Sequence, residues 1–170
     1  MNAPNVALVG FGYAGQTFHA PLIAACPDLR LHSIVTGKPD LVRAAWPEAR
    51  PVADLEAVLA DPEIDLVVLA TPNDLHAPQA RAALEAGKAV VIDKPFALSL
   101  EEARGVADLA REKGLFLSIF HNRRWDADFL GLQQQIASGA LGDIRTFESH
   151  FDRFRPEVRD RWRERGGPGG

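Results

Sequence analysis

The first residues that could do chemistry form the segment Gly10-Phe11-Gly12-Tyr13-Ala14-Gly15. This segment directly follows the apolar run Val6–Val9 and opens a stretch with helical patterning. In such a loop the first glycine permits a tight turn, the second lets a pyrophosphate approach the backbone, and the third allows close packing of helix on strand. The N–H groups and dipole of the helix N-terminus favour phosphate. The spacing predicts dinucleotide binding; a glycine-rich turn used only for packing is the alternative.

The residues after the second predicted strand bear on which dinucleotide binds. An acid at this place, about 20 residues beyond the glycine loop, holds the ribose 2′-hydroxyl of NAD. Here Leu31–Val35 is followed by Thr36-Gly37-Lys38, which contains no carboxylate. A hydroxyl and a lysine suit a 2′-phosphate better than a free hydroxyl. The segment therefore favours NADP over NAD; the alternative is that Lys38 is only a solvated loop residue.

Three further polar clusters each follow an apolar run. They are Thr71-Pro72-Asn73 with His76, Asp93-Lys94-Pro95, and His121-Asn122-Arg123-Arg124-Trp125. Ligands of open α/β sheets bind outside the carboxyl ends of the strands, so we expect these clusters to converge on one edge. Lys94 is the most unusual member, because Pro95 disfavours helical geometry at its position. The alternatives are a helix-surface histidine at His76, a loop ion pair between Asp93 and Lys94, and a solvated helix start at Arg123 and Arg124.

The elements that would position these residues alternate between short apolar runs and longer helical stretches. The runs are Val6–Val9, Leu31–Val35, Ile64–Ala70, Ala89–Ile92 and Leu115–Ile119. They suit strands that are buried on both faces. Helices are predicted over 14–25, 54–60, 74–86 and 100–113, with Asp54, Asn73 and Ser99 as N-caps and Gly87 and Gly114 as C-caps. This alternation predicts an α/β fold with a doubly wound parallel sheet.

The composition is that of an ordinary globular protein. Of the 170 residues, 46% are hydrophobic and 25% are charged, which argues against disordered and low-complexity classes. The net charge of −4 predicts no nucleic-acid or anionic-membrane partner. No apolar run reaches the ~20 residues of a membrane helix, and no metal site is predicted. The single cysteine, Cys26, cannot form an intrachain disulfide, so we expect a reducing, cytoplasmic location.

The pattern changes after about residue 142. Residues 145–151 alternate polar with apolar or small side chains, which predicts a half-solvated strand. No helical pattern follows, and the chain ends in Gly166-Gly167-Pro168-Gly169-Gly170. We expect a dinucleotide-binding domain over 1–142 and an incomplete second domain over 143–170. An ordinary frayed tail is the alternative.

These motifs together resemble the Gfo/Idh/MocA oxidoreductases, a family that includes glucose–fructose oxidoreductase and inositol dehydrogenase. The resemblance rests on Gly10–Gly15, Thr71–His76, Asp93–Phe96 and His121–Asp126, and it extends through Phe154. Asp93 stands where the family usually has glutamate, and Lys94 is retained. The resemblance implies a Rossmann domain followed by a mostly antiparallel sheet domain, with 144–151 as its first strand. It also implies a homo-oligomeric parent protein.

The resemblance further implies hydride transfer between a nicotinamide cofactor and a secondary alcohol or ketone of a sugar or cyclitol, a small polyol substrate. Lys94 would hydrogen-bond the reacting oxygen and stabilise negative charge on it. The residues implied to bind the cofactor are Gly10, Phe11, Gly12, Tyr13, Ala14, Gly15, Thr36, Gly37, Lys38, Thr71, Pro72, Asn73, His76, Asp93, Lys94, Asn122 and Arg123.

Family members also carry a further acid and a histidine in the second domain, and the histidine is the usual proton-transfer residue. Neither has a counterpart here, because His150 lies too early to match. We therefore expect the chain alone to bind dinucleotide without turning over substrate. A non-catalytic nucleotide-binding sensor or scaffold is the alternative class. A flavodoxin-like or methyltransferase-type domain would leave Asp93-Lys94-Pro95 unexplained.

Overall fold

Six parallel strands form one sheet in the computed structural model, which describes residues 3–152, 154 and 156–157. The strands are β1 Asn5–Val9, β2 Arg30–Val35, β3 Arg50–Val52, β4 Leu66–Leu69, β5 Ala89–Ile92 and β6 Leu117–Ile119. Their order in the sheet is β3-β2-β1-β4-β5-β6. This is the order of dinucleotide-binding sheets, in which the winding direction reverses between β1 and β4. The predicted doubly wound parallel sheet is confirmed.

Helices connect the strands. They are a π-helical turn Gly15–His19 that continues into α1 Ala20–Ala25, then α2 Pro39–Ala45, α3 Leu55–Leu59, α4 Asn73–Glu85, α5 Leu100–Glu112, a 3₁₀ turn Asn122–Trp125 and α6 Ala127–Ala137. The four predicted helices are present with ends within one residue of the prediction, whereas α2, α6 and the short β3 were not predicted. No helix in the described part of the chain is long and apolar enough to cross a membrane.

Two of the three predicted N-caps, Asp54 and Ser99, are confirmed. The glycines predicted as C-caps, Gly87 and Gly114, directly follow the observed C-caps Ala86 and Lys113 and have φ of +78° and +64°. The Asp54 side chain accepts a hydrogen bond from the N–H of Ala57 at 2.9 Å, and the Ser99 side chain accepts one from Glu102 at 3.1 Å. Asn73, however, is the first residue of α4, and Pro72 occupies the N-cap position. Pro72 has an extended ψ of 149°, so the helix begins one residue earlier than a cap at Asn73 would require.

The core lies on both faces of the sheet, because successive side chains of a strand point to opposite sides. Ala7 and Val9 of β1 belong to a buried cluster that includes residues of α4 and α5. Val6 and Leu8 belong to a second cluster, with residues of α1 and α2. All four side chains are at most 2% exposed. This burial fixes the carboxyl end of β1, where the glycine loop begins.

Contacts between residues divide the chain into two compact units, with the division after Phe120. The first unit contains the whole six-stranded sheet. The described part of the second unit contains the 3₁₀ turn and α6. The division predicted at residue 142 remains a prediction, and most of the chain beyond residue 152 lies outside the described residues.

Residues 145–151 do not form the strand predicted for them. Within the described part of the second unit no residue is assigned to a strand, and residues 145–152 are exposed. An alternating sequence becomes a strand only where a neighbouring strand supplies hydrogen-bond partners. The described residues of this unit offer none, so the pattern alone does not produce sheet structure here.

Candidate functional site

The glycine loop has the geometry that its spacing predicts. Gly10 has φ of +100°, and a Cβ there would lie 2.6 Å from the carbonyl oxygen of Ala70. A Cβ on Gly15 would lie 2.2 Å from the carbonyl oxygen of Gly10. By contrast, a Cβ on Gly12 would have no atom within 4 Å. The outer glycines are therefore required for the turn and for packing, and Gly12 faces open space where a ligand can approach the backbone.

A cleft of about 680 Å³ opens beside this loop. It is lined by Gly10–Gly12, Thr36–Lys38, Ala53–Glu56, Thr71 and Gln79, together with the last residues of β1 and β2. These segments follow the carboxyl ends of β1, β2, β3 and β4, which is the crevice where open α/β sheets bind ligands. The volume lies within the range of about 300–1,000 Å³ that is typical of small-molecule sites.

The end of β2 presents Lys38 to this cleft. The N–H of Thr36 donates to the carbonyl oxygen of Val52 at 3.0 Å, and the Thr36 hydroxyl accepts from the N–H of Lys38 at 3.0 Å. These two bonds fix the turn. The Lys38 side chain is exposed, and its ammonium forms no ion pair with any residue that the structure describes. An anionic group could therefore bind it without displacing a protein carboxylate.

Two acids that line the cleft were not predicted as site residues. Asp54 and Glu56 follow the three-residue strand β3. The Asp54 carboxylate is occupied as the N-cap of α3, and Glu56 is exposed. The sequence signal for β3 is weak because the strand is short and contains Pro51, so the cleft wall behind it was missed.

Gln79 is a further lining residue that the sequence did not reveal. The Thr71 hydroxyl donates to Gln79 Oε1 at 2.7 Å. Thr71 was predicted to contact the cofactor and does line the cleft. Gln79 lies six residues into α4, and nothing in a helical pattern distinguishes a glutamine that faces a cleft from one that faces solvent.

His76 does not face the cleft. It is 1% exposed, and its ring nitrogens contact backbone carbonyls: Nδ1 lies 2.7 Å from Pro95 O and Nε2 lies 2.9 Å from Thr71 O. With both nitrogens engaged, the imidazole has no polar group left for direct cofactor contact. The alternative of a surface histidine is also wrong, because the side chain is buried between two loops.

Asp93 and Lys94 follow β5, and they interact through the backbone. Asp93 is 8% exposed, and its Oδ1 accepts a hydrogen bond from the N–H of Lys94 at 2.7 Å. The Lys94 ammonium is exposed and forms no ion pair within the described residues, so the loop ion pair weighed above is not formed. The carboxylate instead fixes the peptide from which the free ammonium extends.

The pKa of Asp93 lies below its ordinary value. Burial raises the pKa of this carboxyl, but the contact with His19, the hydrogen bond from the Lys94 N–H and the charges of these two residues together lower it by more. Asp93 is therefore a stable carboxylate near neutral pH, and it can hold the Lys94 peptide permanently.

His19 is a further residue that the sequence did not reveal. It ends the π-helical turn, in which the N–H of Ala20 bonds to the carbonyl oxygen of Gly15. It is 3% exposed, its Nε2 lies 3.4 Å from Asp93 Oδ2, and its ring centroid lies 4.3 Å from that of Phe120. The distance from Nε2 to Asp93 Oδ2 is short enough for an ion pair. Nε2 makes no hydrogen bond within the described residues. The sequence does show a histidine four residues after Gly15, and this position was the one local sign that a side chain near the glycine loop could take part in the site.

Asn122 and Arg123 belong to the second unit, so their proposed approach to the cofactor remains a prediction. Arg123 Nη1 donates to Asp126 Oδ2 at 2.7 Å, and its guanidinium carbon lies 5.5 Å from the centre of the Phe151 ring. The hydrogen bond and the charge of Asp126 raise the pKa of Arg123. Among the described residues, no group of three histidine, cysteine, aspartate or glutamate side chains could hold a metal ion.

Comparisons with known proteins agree with this geometry. Residues 4–121 match the family described as "Oxidoreductase family, NAD-binding Rossmann fold". Over 164 residues, 96% of this chain and 47% of the relative, the chain is 56% identical to the uncharacterized oxidoreductase YdgJ of Escherichia coli. Over 162 residues, 95% of this chain and 45% of the relative, it is 41% identical to scyllo-inositol 2-dehydrogenase (NADP(+)) IolW of Bacillus subtilis.

The same relation appears in three dimensions. The solved structure of YPO2259 from Yersinia pestis superposes with a TM-score of 0.93 at 51% sequence identity, covering 98% of this chain and 48% of that one. The chain thus spans about half the length of the relatives that it matches. The match covers the glycine loop, the residues that line the cleft, and the segment Asp93–Pro95, which we call the Lys94 turn. The chain therefore belongs to the Gfo/Idh/MocA oxidoreductase family and carries its NAD-binding Rossmann fold.

Proposed function

We propose that this chain supplies the cofactor-binding part of an NAD(P)-dependent oxidoreductase that acts on a secondary alcohol or ketone of a sugar or cyclitol. The observation that carries the proposal is the cleft beside the glycine loop, because Gly12 is the one glycine of that loop whose Cβ position faces open space. The name of the Bacillus relative, a scyllo-inositol dehydrogenase, supports the cyclitol substrate. The alternative of a sensor or scaffold without catalysis gains no support from relatives that carry the names of oxidoreductases.

The residues present fit a dinucleotide. The open space at Gly12 admits a pyrophosphate to the backbone, and the helix that starts after the loop offers N–H groups that have no intrahelical partner. Thr36–Lys38 and Ala53–Glu56 form the wall beyond the glycine loop, where the adenosine would lie. When bound, the nicotinamide supplies the hydride acceptor or donor.

Lys94 is the proposed catalytic residue. Its peptide is fixed by Asp93, and its ammonium is exposed with no ion pair in the described part of the chain. Such an ammonium would hydrogen-bond the reacting oxygen and stabilise the negative charge that develops there. The glycine loop serves the phosphates, so Lys94 is free for this role.

The preference for NADP also remains a proposal. The free ammonium of Lys38 supports it, because it can pair with a 2′-phosphate. The name of the NADP(+)-dependent Bacillus relative supports it too. Asp54 and Glu56 line the same cleft and would repel a phosphate placed on their side. The preference thus depends on the 2′-phosphate binding on the Lys38 side of the cleft.

The remaining expectations concern the whole protein. We propose a small polyol or sugar as the substrate, a cytoplasmic location and a homo-oligomeric assembly. The substrate class is proposed from the name of the Bacillus relative. The location is proposed from the single cysteine, and the assembly from the family resemblance alone.

A binding experiment tests the proposed cofactor site. Gly12→Val would fill the open space at the loop, where its Cβ meets no protein atom within 4 Å, so it should abolish calorimetric binding of NADP and NAD with little change in the melting temperature. Gly131→Val is the matched control, because a Cβ there also meets nothing within 4 Å and lies on α6. Unchanged dinucleotide affinity in Gly12→Val would refute the site.

A further inference from the structure

His76 joins two loops that the proposed function uses separately. It lies in the first turn of α4, with Nδ1 2.7 Å from Pro95 O and Nε2 2.9 Å from Thr71 O. Thr71 lines the cleft, and Pro95 directly follows Lys94. A single buried imidazole therefore spans from the candidate cofactor site to the turn that carries the candidate catalytic lysine.

We infer that His76 is a positioning residue for Lys94, because its two ring nitrogens tie the turn that carries Lys94 to the loop that carries Thr71. A ring nitrogen that carries a proton can donate to the carbonyl oxygen that it faces. The imidazole is 1% exposed and has no carboxylate within ion-pair distance among the described residues, so the two carbonyl dipoles are its polar partners.

The Lys94 turn is then held on both sides. Asp93 Oδ1 accepts the Lys94 N–H at 2.7 Å, and His76 Nδ1 lies 2.7 Å from the carbonyl oxygen of Pro95. Because the ammonium has no ion-pair partner in the described part of the chain, its place depends on this backbone. A displacement of about 1 Å in a catalytic group costs on the order of 10²-fold in rate. The inference rests on the proposed function, since it concerns how Lys94 is held for the reaction.

Kinetics of the enzyme that contains this chain test the positioning role. His76→Phe keeps an aromatic ring and removes both ring nitrogens, whereas the amide nitrogen of His76→Gln can still donate to one of the two carbonyl oxygens. We expect the turnover number to fall about tenfold or more in His76→Phe and less in His76→Gln, with the KM for NADP within about threefold of the unmodified enzyme. Unchanged turnover in either folded variant, or a loss confined to KM, would overturn the role.

The matched control is His32→Gln. His32 lies on β2, with Nε2 3.8 Å from Glu63 Oε2, and contacts neither loop. Its turnover number should equal that of the unmodified enzyme. If His32→Gln lowers turnover as much as His76→Gln, the effect comes from losing a histidine in the sheet domain, and the positioning role fails.

A second measurement does not depend on activity. In the chain labelled with ¹⁵N, the amide hydrogen of Lys94, which donates to Asp93 Oδ1, should exchange with solvent faster in His76→Phe than in the unmodified chain and at the unmodified rate in His32→Gln. An unchanged exchange rate in His76→Phe would contradict the positioning role. If the exchange rate rises as expected but the unmodified enzyme oxidises no polyol, the proposed function fails and the tie between the two loops stands.

Discussion

The segments after β1, β2 and β3 line an open cleft, whereas buried side chains hold the backbone of the turns after β4 and β5 in place. The first region contains Gly12 and the exposed Lys38. The second contains Asp93, His76 and His19, each at most 8% exposed. Binding a phosphate requires open space and N–H groups, whereas placing one ammonium requires a turn that is fixed from behind. Substitutions in the two regions should therefore change different measurements.

The largest effect should come from Lys94→Ala in the enzyme that contains this chain. Loss of a preorganised donor at a developing oxyanion should lower the turnover number by ~10²-fold or more and leave the dissociation constant for NADP nearly unchanged. Lys94→Arg should not restore full activity, because a planar guanidinium does not replace a compact ammonium. Stopped-flow kinetics and calorimetry give the two quantities.

Lys113→Ala is the control for Lys94, since Lys113 is an exposed lysine at the C-cap of α5. It should leave turnover unchanged. Near-normal turnover in Lys94→Ala would remove the catalytic role of Lys94 and with it the distinction between the two regions.

Within the glycine loop, Gly15→Ala should damage folding before binding. The added Cβ would lie 2.2 Å from the backbone oxygen of Gly10, so the helix or the loop must move. We expect a loss of about 1–3 kcal/mol in the free energy of unfolding, the scale of overpacking. Urea denaturation measures it. Gly12→Ala, which meets no atom, should lose less than about 0.5 kcal/mol, and equal losses in both variants would contradict the loop geometry.

A smaller effect is expected at Lys38. Lys38→Ala should weaken NADP binding relative to NAD binding by about 1–2 kcal/mol, the scale of a partly exposed charged hydrogen bond. Calorimetric titration with both cofactors measures the difference. Equal weakening of the two, or tighter binding of NAD by the unmodified chain, would show that Lys38 does not bind the 2′-phosphate.

The smallest effect should be a pH dependence of stability at Asp93. Its folded-state pKa is lowered, so its contribution to stability is present above its ordinary pKa of about 3.9 and is lost as pH falls through the folded value. The destabilisation by Asp93→Asn should therefore be larger at pH 7 than at pH 3. Asp108→Asn, at an exposed ion pair with Arg111, should show little of this trend. A difference that grows toward acid pH would contradict the assignment.

The sequence predicts the parts of this fold whose signals are local. The β1 strand, the glycine loop and the capped helices α4 and α5 are each determined by a few neighbouring residues, and they appear where expected. The short β3 was missed because three residues give no clear pattern. The strand predicted over 145–151 was wrong because pairing depends on a partner that the described residues lack.

The residues of the candidate site could likewise be predicted only where their sequence signals are local. Gly12 and Thr36–Lys38 were identified because the strand–loop–helix pattern places them. The roles of His19 and His76 depend on contacts with residues far along the chain, at Asp93 and Pro95. A single sequence carries no local sign of such contacts, so His76 was predicted to line the cofactor wall when it lies behind it.

The most direct test of the central claim is a titration of the ¹⁵N-labelled chain with NADP, followed by amide chemical shifts. We expect saturable shifts that are largest at the N–H groups of Gly12–Ala14 and Thr36–Lys38, with little change at the amino ends of the strands. Saturable shifts confined to residues outside the cleft, or no shifts at millimolar NADP, would contradict a dinucleotide site at the glycine loop.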